Sequence, residues 1–339
     1  MEKEPKIESS KDKSIEELIE NLKEKKQECE DCTRFEILEN IPPKMRNKVE
    51  ERINMLEKAG VGDEDVLLKA TEFFAKEVKT SYMDSRFETP NGTYLRMELV
   101  NRVDQMMEDE DVEEKLDTLG IISFDVNGLK AVNDINSHEA GDEYLEKIVD
   151  VLDDGEVTKT LENNGVDTFL AANGGDEFAV VLDSKFDLTS GNRALIGEIV
   201  EKYQREIKEI DCSDIIDFND DEVRSKFKDL KLDIPESFEF MATISGGSCT
   251  LKEALVEVEG LEGDYHKILN NLMGELLDIS DKRSIKNKEK IKKDLKEGSK
   301  EEKFLHKVLQ RNEENIKAQK RIKELEKQVD KLKKQLESN

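Results

Sequence analysis

The stretch VDTFLAANGGDEFAVVLD, residues 166 to 183, constrains this chain more than any other. Two short apolar runs flank a polar turn, NGGD, that carries two glycines. That pattern reads as a hairpin of two buried strands. It also sets Asp176 and Glu177 at the hairpin tip. A carboxylate beside a buried strand is costly unless it leaves the core or meets a cation. Turn chemistry accounts for the glycines and leaves the acids unexplained.

A second stretch bears on the same question. LGIISFDV, residues 119 to 126, reads as a buried strand that ends at Asp125. The NGLK turn after it offers backbone N–H groups and the ammonium of Lys130, a combination suited to phosphate oxygens. Asn133 and Asp142 follow, with Gly141 just before Asp142 at a helix start. If the hairpin lies beside this strand, Asp176 reaches Asp125. Two carboxylates plus substrate phosphates are a common way to hold Mg²⁺.

The rest of the chain supplies a frame for these two stretches. Helical periodicity is expected over 139–152, with Tyr144, Leu145, Ile148, Val149 and Leu152 inward, and again over 195–210 and 266–280. A further strand is expected over 238–248. The order helix, strand, helix, hairpin, helix, strand, helix predicts an α/β sandwich of the split βαβ type, with helices on an antiparallel-containing sheet. Upstream, Ile15, Leu18, Ile19 and Leu22 space out one amphipathic helix, and two more are expected over 44–79. Residues 1 to 14 are polar and expected to be disordered. The expected division is 1–83 for the disordered start and helical N-terminal region, 84–287 for the α/β domain and 288–339 for a C-terminal helix or coiled coil.

In that tail Val308, Asn315, Ile322, Val329 and Leu336 fall at heptad position a, and Phe304, Ala318, Leu325 and Leu332 at d. β-Branched a residues with Leu at d favour a parallel two-stranded coil, and Asn315 would fix its register. A single solvated helix is the other reading. The 183–240 segment contains an acidic insertion with no assignable chemistry.

Composition excludes several partners. The chain of 339 residues is 40% charged, with a formal net charge of −27 despite 54 Lys and Arg. Non-specific nucleic-acid binding needs basic patches, so none is expected. Neither is adhesion to an anionic membrane. No apolar run reaches the roughly 20 residues of a spanning helix, and the N-terminus lacks a signal-peptide core. A cytoplasmic location is expected. Cys212 and Cys249 are isolated. Cys29 and Cys32 form one C-x-x-C, half a zinc site, which leaves exposed thiols, metal or redox use, and a site shared across a dimer all open.

Taken together, the two chemistry-bearing stretches resemble the GGDEF family, the diguanylate cyclases. The signature Gly174-Gly175-Asp176-Glu177-Phe178 is complete. The upstream pattern D-x-D/N-x-x-K-x-x-N-D-x-x-G-H-x-x-G-D is met by Asp125, Asn127, Lys130, Asn133, Asp134, His138, Gly141 and Asp142, with Ser137 in place of its first Gly. Thr243, Ser245 and Gly247 resemble the downstream T-x-S-x-G strand. DKRSIKN is similar to the closing A-K-x-x-G-R-N, with Lys282 and Asn287 matching and Lys286 where an Arg is usual. The entry motif is hinted at by Asp84, Gly92 and Arg96. The resemblance spans residues 84 to 287.

The resemblance implies a palm-like, nucleotide-cyclase-like α/β domain that condenses two GTP to cyclic di-GMP with release of pyrophosphate. It implies Mg²⁺ (or Mn²⁺) on Asp125, Asp176 and the Val126 carbonyl. Glu177 would lie beside the metal and the attacking hydroxyl. Asn133 and Asp142 would read the guanine edge, and Lys130, Lys282 and Lys286 would hold the triphosphate. His138 is read as a packing residue. Two GTP sites must face each other, so a homodimer is expected. The Arg common two residues before the signature is Ala172 here, and GVDT (165 to 168) replaces the R-x-x-D of product inhibition, so no feedback site of that type is expected. The alternative to an active cyclase is a catalytically inactive GTP-binding or scaffold module that signals through its coiled coil.

Overall fold

The computed structural model describes residues 14–28, 82–189, 195–212, 214–215, 220–229, 241–258 and 263–298, with isolated helical positions at 303, 307, 310, 314, 317 and 321. The helices expected over 44–79, the Cys29/Cys32 pair and the heptad core positions from Phe304 to Leu336 lie outside the described residues.

Strand β1 (Leu119–Asn127) is apolar on both faces and organises the domain. Ile122, Phe124 and Val126 enter one core, Leu119 and Ile121 the other. A strand buried on both sides has to be central. It pairs antiparallel with β3 (Glu177–Ser184) and with β4 (Thr243–Thr250), and β2 (Val166–Ala172) adds outside β3, giving the order β2-β3-β1-β4. The expected hairpin therefore forms and lies beside the first strand.

Helices cover both faces of the sheet. One face carries α4 (Leu129–Ile135), α5 (His138–Asp154), α6 (Glu156–Asn163), α7 (Leu195–Ile207) and α8 (Asp221–Asp229). The other carries α1 (Ile15–Glu28), α2 (Gly92–Met106), α3 (Val112–Lys115), α9 (Leu251–Glu257) and α10 (Tyr265–Glu297). The result is the α/β sandwich that the element order predicts. α5 buries Tyr144, Leu145, Ile148, Val149 and Leu152, the residues its periodicity assigns inward. Ser137, standing where the family pattern has Gly, caps this helix by accepting from Ala140 N at 3.2 Å.

The largest departure from expectation in extent is at the last helix. The helix expected over 266–280 continues to Glu297, 33 residues in all, and crosses the boundary at 287 without a break. The glycine of the closing pattern is Ile285 here, and no Gly or Pro stands between it and Gly298 to stop the helix. The acidic insertion also has a fold: α8 buries Val223 and Phe227 and packs on α4.

Cys212 and Cys249 are buried and free. Burial pushes their thiols up to about 11 and about 12, which leaves them unreactive. Among the described residues, no helix is long and apolar enough to cross a membrane.

Candidate active site

The site forms where β1 and the β2–β3 hairpin end together. Asp125 is directly opposite Glu177 in the β1–β3 ladder. Between them Val126 N donates to Asp176 O at 2.9 Å, which ties the hairpin tip to the strand end. The turn closes through Asn173 N and Gly174 N, both donating to Glu177 O, at 2.8 and 3.2 Å. Neither signature glycine has the left-handed backbone expected of a hairpin tip. A Cβ on Gly174 would lie 2.9 Å from Glu177 Oε2, the far end of a side chain that can turn aside.

Burial and the nearby Asp125 raise the pKa of Asp176, with Lys288 and Arg86 pulling the other way. Burial, then Asp281, Asp176 and Asp125, raise that of Glu177. The carboxylates therefore converge in a partly dehydrated space, where a cation is favoured.

α10 lies along this end of the sheet through a polar seam. Ser280 Oγ meets Ser123 Oγ at 2.6 Å, and Ser284 Oγ donates to Ser245 O at 3.1 Å. One turn beyond Ser284, Lys288 Nζ donates to Asp125 Oδ1 at 2.5 Å. Asp281 shares this face of the helix, three residues before Ser284. Lys282 and Lys286, two residues either side of Ser284, are rotated by about 200° from it and are exposed. The structure thus sets Lys288 and Asp281 at the tip, and turns Lys282 and Lys286 outward. Asn287 Oδ1 accepts from Gly246 N at 3.1 Å and from Gln204 Nε2 at 2.5 Å, so it caps the outer edge of β4.

The upstream pattern folds as a tight turn and two short-spaced helix starts. Gly128 takes φ 86° at the head of α4, a conformation that favours glycine. Lys130 Nζ lies 3.5 Å from Asp134 Oδ2. Asn133 Oδ1 is packed onto Gly141, leaving no room for a Cβ there, and has no hydrogen-bond partner. Asp142 is exposed and close enough to act on the Arg86 guanidinium. His138 is exposed at the start of α5. Ala172 is 3% exposed, with its N–H donating to Pro90 O at 2.8 Å.

Sequence reasoning missed Arg86, Asp281 and Lys288. Asp281 and Lys288 recur with Ser284 at helical spacing, but in a Lys-rich stretch nothing marks that face as the one turned to the sheet. Arg86 had no signal, because its contacts lie almost 90 residues away, at Gly174 and Gly175.

Among the described residues, no group of three or more His, Cys, Asp or Glu side chains is placed to hold a metal ion. Mg²⁺ asks less of the protein, one or two carboxylates with phosphate oxygens completing its shell. Asp125 and Asp176, hard oxygen donors near enough to repel each other, fit that requirement.

No family model matches the chain, and no curated protein does. Solved structures do resemble it. The diguanylate cyclase SiaD from Pseudomonas aeruginosa, solved with its activator SiaC, is 16% identical over 71% of this chain and 73% of its own, with a TM-score of 0.34. A sensory box/GGDEF family protein from Caulobacter crescentus is 19% identical over 62% of this chain and 99% of its own, with a TM-score of 0.37. The coiled coil and GGDEF domain of DgcB from Caulobacter crescentus, solved with c-di-GMP, is 14% identical over 66% of this chain and 93% of its own, with a TM-score of 0.36. The motifs this chain carries resemble those of the GGDEF-domain family, and its antiparallel β2-β3-β1-β4 sheet brings them to one end.

Proposed function

We propose that this chain condenses two GTP into cyclic di-GMP, releasing two pyrophosphates, with Mg²⁺ or Mn²⁺ held by Asp125 and Asp176. One observation carries the reading: these two carboxylates, far apart in sequence, come within electrostatic reach of each other where β1 and β3 end. A bound divalent cation would neutralise triphosphate charge and ease loss of the ribose 3′-hydroxyl proton. Asp125 and Asp176 would hold that cation at the ends of β1 and β3. Glu177, its carboxyl pKa raised by burial and by Asp281, would take that proton. The 3′ oxygen then bonds to the α-phosphorus of the facing GTP, and pyrophosphate leaves with the bridging electron pair. Asp142, acting with Asn133, supplies an acceptor for the guanine N1–H and amino group, which adenine would leave unmatched. Lys130 serves the phosphates. Because each domain holds one GTP, two copies must face each other.

A second reading has an observation of its own. Lys282 and Lys286 face outward and Lys288 sits on Asp125, so the phosphate-holding lysines implied by the family are not gathered at the tip. That favours a module that binds GTP without turnover. Incubating the full chain with Mg²⁺ and GTP, and with ATP plus GTP, separates the readings. The expected product is cyclic di-GMP from GTP alone. Asp176→Asn should abolish it while leaving the unfolding midpoint within a few degrees, because it removes a repelling charge and no packing. GTP binding with no cyclic product establishes the second reading, and a mixed product shows that Asp142 does not select guanine.

A further inference from the structure

We infer that Arg86 is the positioning residue of the signature turn, bringing to the tip from the entry segment the guanidinium that the strand before the signature lacks. The inference rests on the reading of that tip as a metal site.

Two residues before the signature stands Ala172, which is 3% exposed, pairs with Phe178 and lies in the core beneath the sheet, so that position offers the tip no charge. Arg86 comes to the same turn from outside. Its Nη1 donates to Gly175 O at 3.2 Å and its Nη2 to Gly174 O at 3.4 Å. The other side of the fork is anchored on Asp84: Nε to Oδ1 at 3.2 Å and Nη2 to Oδ2 at 3.0 Å. Asp84 is itself fixed, accepting from Arg86 N at 2.9 Å through its side chain and donating from its N–H to Thr89 O at 2.7 Å. Phe87 lies under the guanidinium, 4.7 Å from ring centroid to Cζ, and packs on Phe178 of the signature at 5.6 Å between centroids.

These contacts form one chain of constraint. Asp84 holds Arg86, and Arg86 holds the Gly174 and Gly175 carbonyls. Those two peptides lead directly into Asp176, whose own carbonyl is held by Val126 N. A planar fork can bridge a carboxylate and two carbonyls at once; an ammonium on a flexible stem cannot. Arg86 therefore acts through the turn, setting where the Asp176 carboxylate points.

Charge and positioning predict opposite signs, which makes the inference testable. If Arg86 acted only as a nearby positive charge, its removal would tighten divalent cation binding. If it positions Asp176, removal weakens it. The experiment titrates Mn²⁺ into the full chain by electron paramagnetic resonance, for wild type, Arg86→Ala, Arg86→Lys and the pair Asp84→Asn/Arg86→Ala. Loss of the bridge should weaken Mn²⁺ about tenfold in Arg86→Ala, a loss typical of removing charge-assisted hydrogen bonds. Arg86→Lys keeps the charge and should recover little of it. The double variant should lose no more than Arg86→Ala alone, since both act through one bridge. Amide exchange at Gly174, Gly175 and Asp176 should quicken in Arg86→Ala while the unfolding midpoint holds. Unchanged or tighter Mn²⁺ binding in Arg86→Ala, or full recovery in Arg86→Lys, overturns the inference. If wild type itself binds no Mn²⁺, the metal reading falls. Amide exchange then decides Arg86 by itself, and an unchanged rate at the tip overturns it.

Discussion

Lys288 lies one residue past the last position the family pattern matches, yet its ammonium is the group in direct contact with Asp125. Five carboxylates, Asp84, Asp125, Asp176, Glu177 and Asp281, stand around the tip with two cations, Lys288 and Arg86. The excess is three negative charges, which a divalent cation would reduce. Lys288 and that cation would share Asp125, so they compete. Lys288→Met should therefore tighten Mn²⁺ severalfold and cost the metal-free protein about 1 kcal/mol, the size of a partly exposed charged contact. Calorimetric Mn²⁺ titration and urea unfolding measure the two effects. Equal Mn²⁺ affinity in the variant would show that the ammonium leaves Asp125 at no cost. The chain's own numbering made Asp125, Asp176 and Glu177 legible as a set, because acids at strand ends stand out against apolar runs. Lys288 stayed hidden because a lysine in a Lys-rich helix looks like any solvated residue.

α10 shows why element extents were harder to read than element types. Its apolar spacing is clear up to Ile279, then Ser280 and Ser284 interrupt it. Both serines are buried, and only their partners on β1 and β4 reveal that the buried face goes on. Periodicity counts Ser as polar and so ends the helix early. The approach is close because Gly247 faces the helix: a Cβ there would meet the Ser280 carbonyl, the Ser284 amide and, at 2.6 Å, the Arg283 backbone. These are backbone groups and cannot rotate away. Gly247→Ala should thus destabilise the fold by roughly 2 kcal/mol or more, as overpacking does. Gly175→Ala makes the opposite case. No atom lies within 4 Å of its Cβ position, and its φ is not left-handed. Its stability should stay within about 0.5 kcal/mol of wild type despite its place in the signature. Urea unfolding of both variants checks the contrast, and a large loss at Gly175 would mean that the turn needs glycine for conformation after all.

At the scale of the whole molecule, the layered α/β arrangement was legible because strands and helices alternate in a fixed order. How distant segments dock was not. α1 was visible as an amphipathic helix, and the structure seats it on the α10 side of the sheet. Leu18 and Leu22 are fully buried there, and Lys26 Nζ reaches Asp104 O at 2.8 Å and Asp104 Oδ1 at 3.0 Å. Leu22→Ala should cost about 2–4 kcal/mol, the range for emptying a buried leucine site. An unfolding midpoint in urea equal to wild type would show that α1 is not part of the cooperative unit. The acidic insertion likewise acquires a place: Asn136 Nδ2 donates to Ile215 O at 2.6 Å and Lys226 Nζ to Asn136 O at 3.2 Å, bracing the end of the helix that carries Lys130 and Asn133.

The outer edge of β4 has a consequence for how copies of this chain can assemble. Gln204 donates to Ile244 O at 3.2 Å, Arg283 to Ser248 O at 2.6 Å, and Asn287 accepts from Gly246 N. An incoming strand would find those pairing positions already taken by side chains from α7 and α10. Open strand edges are where chains join into extended sheets and fibres. Here that route is closed at β4, beside the candidate site, so copies of this chain that associate would have to do so through other surfaces.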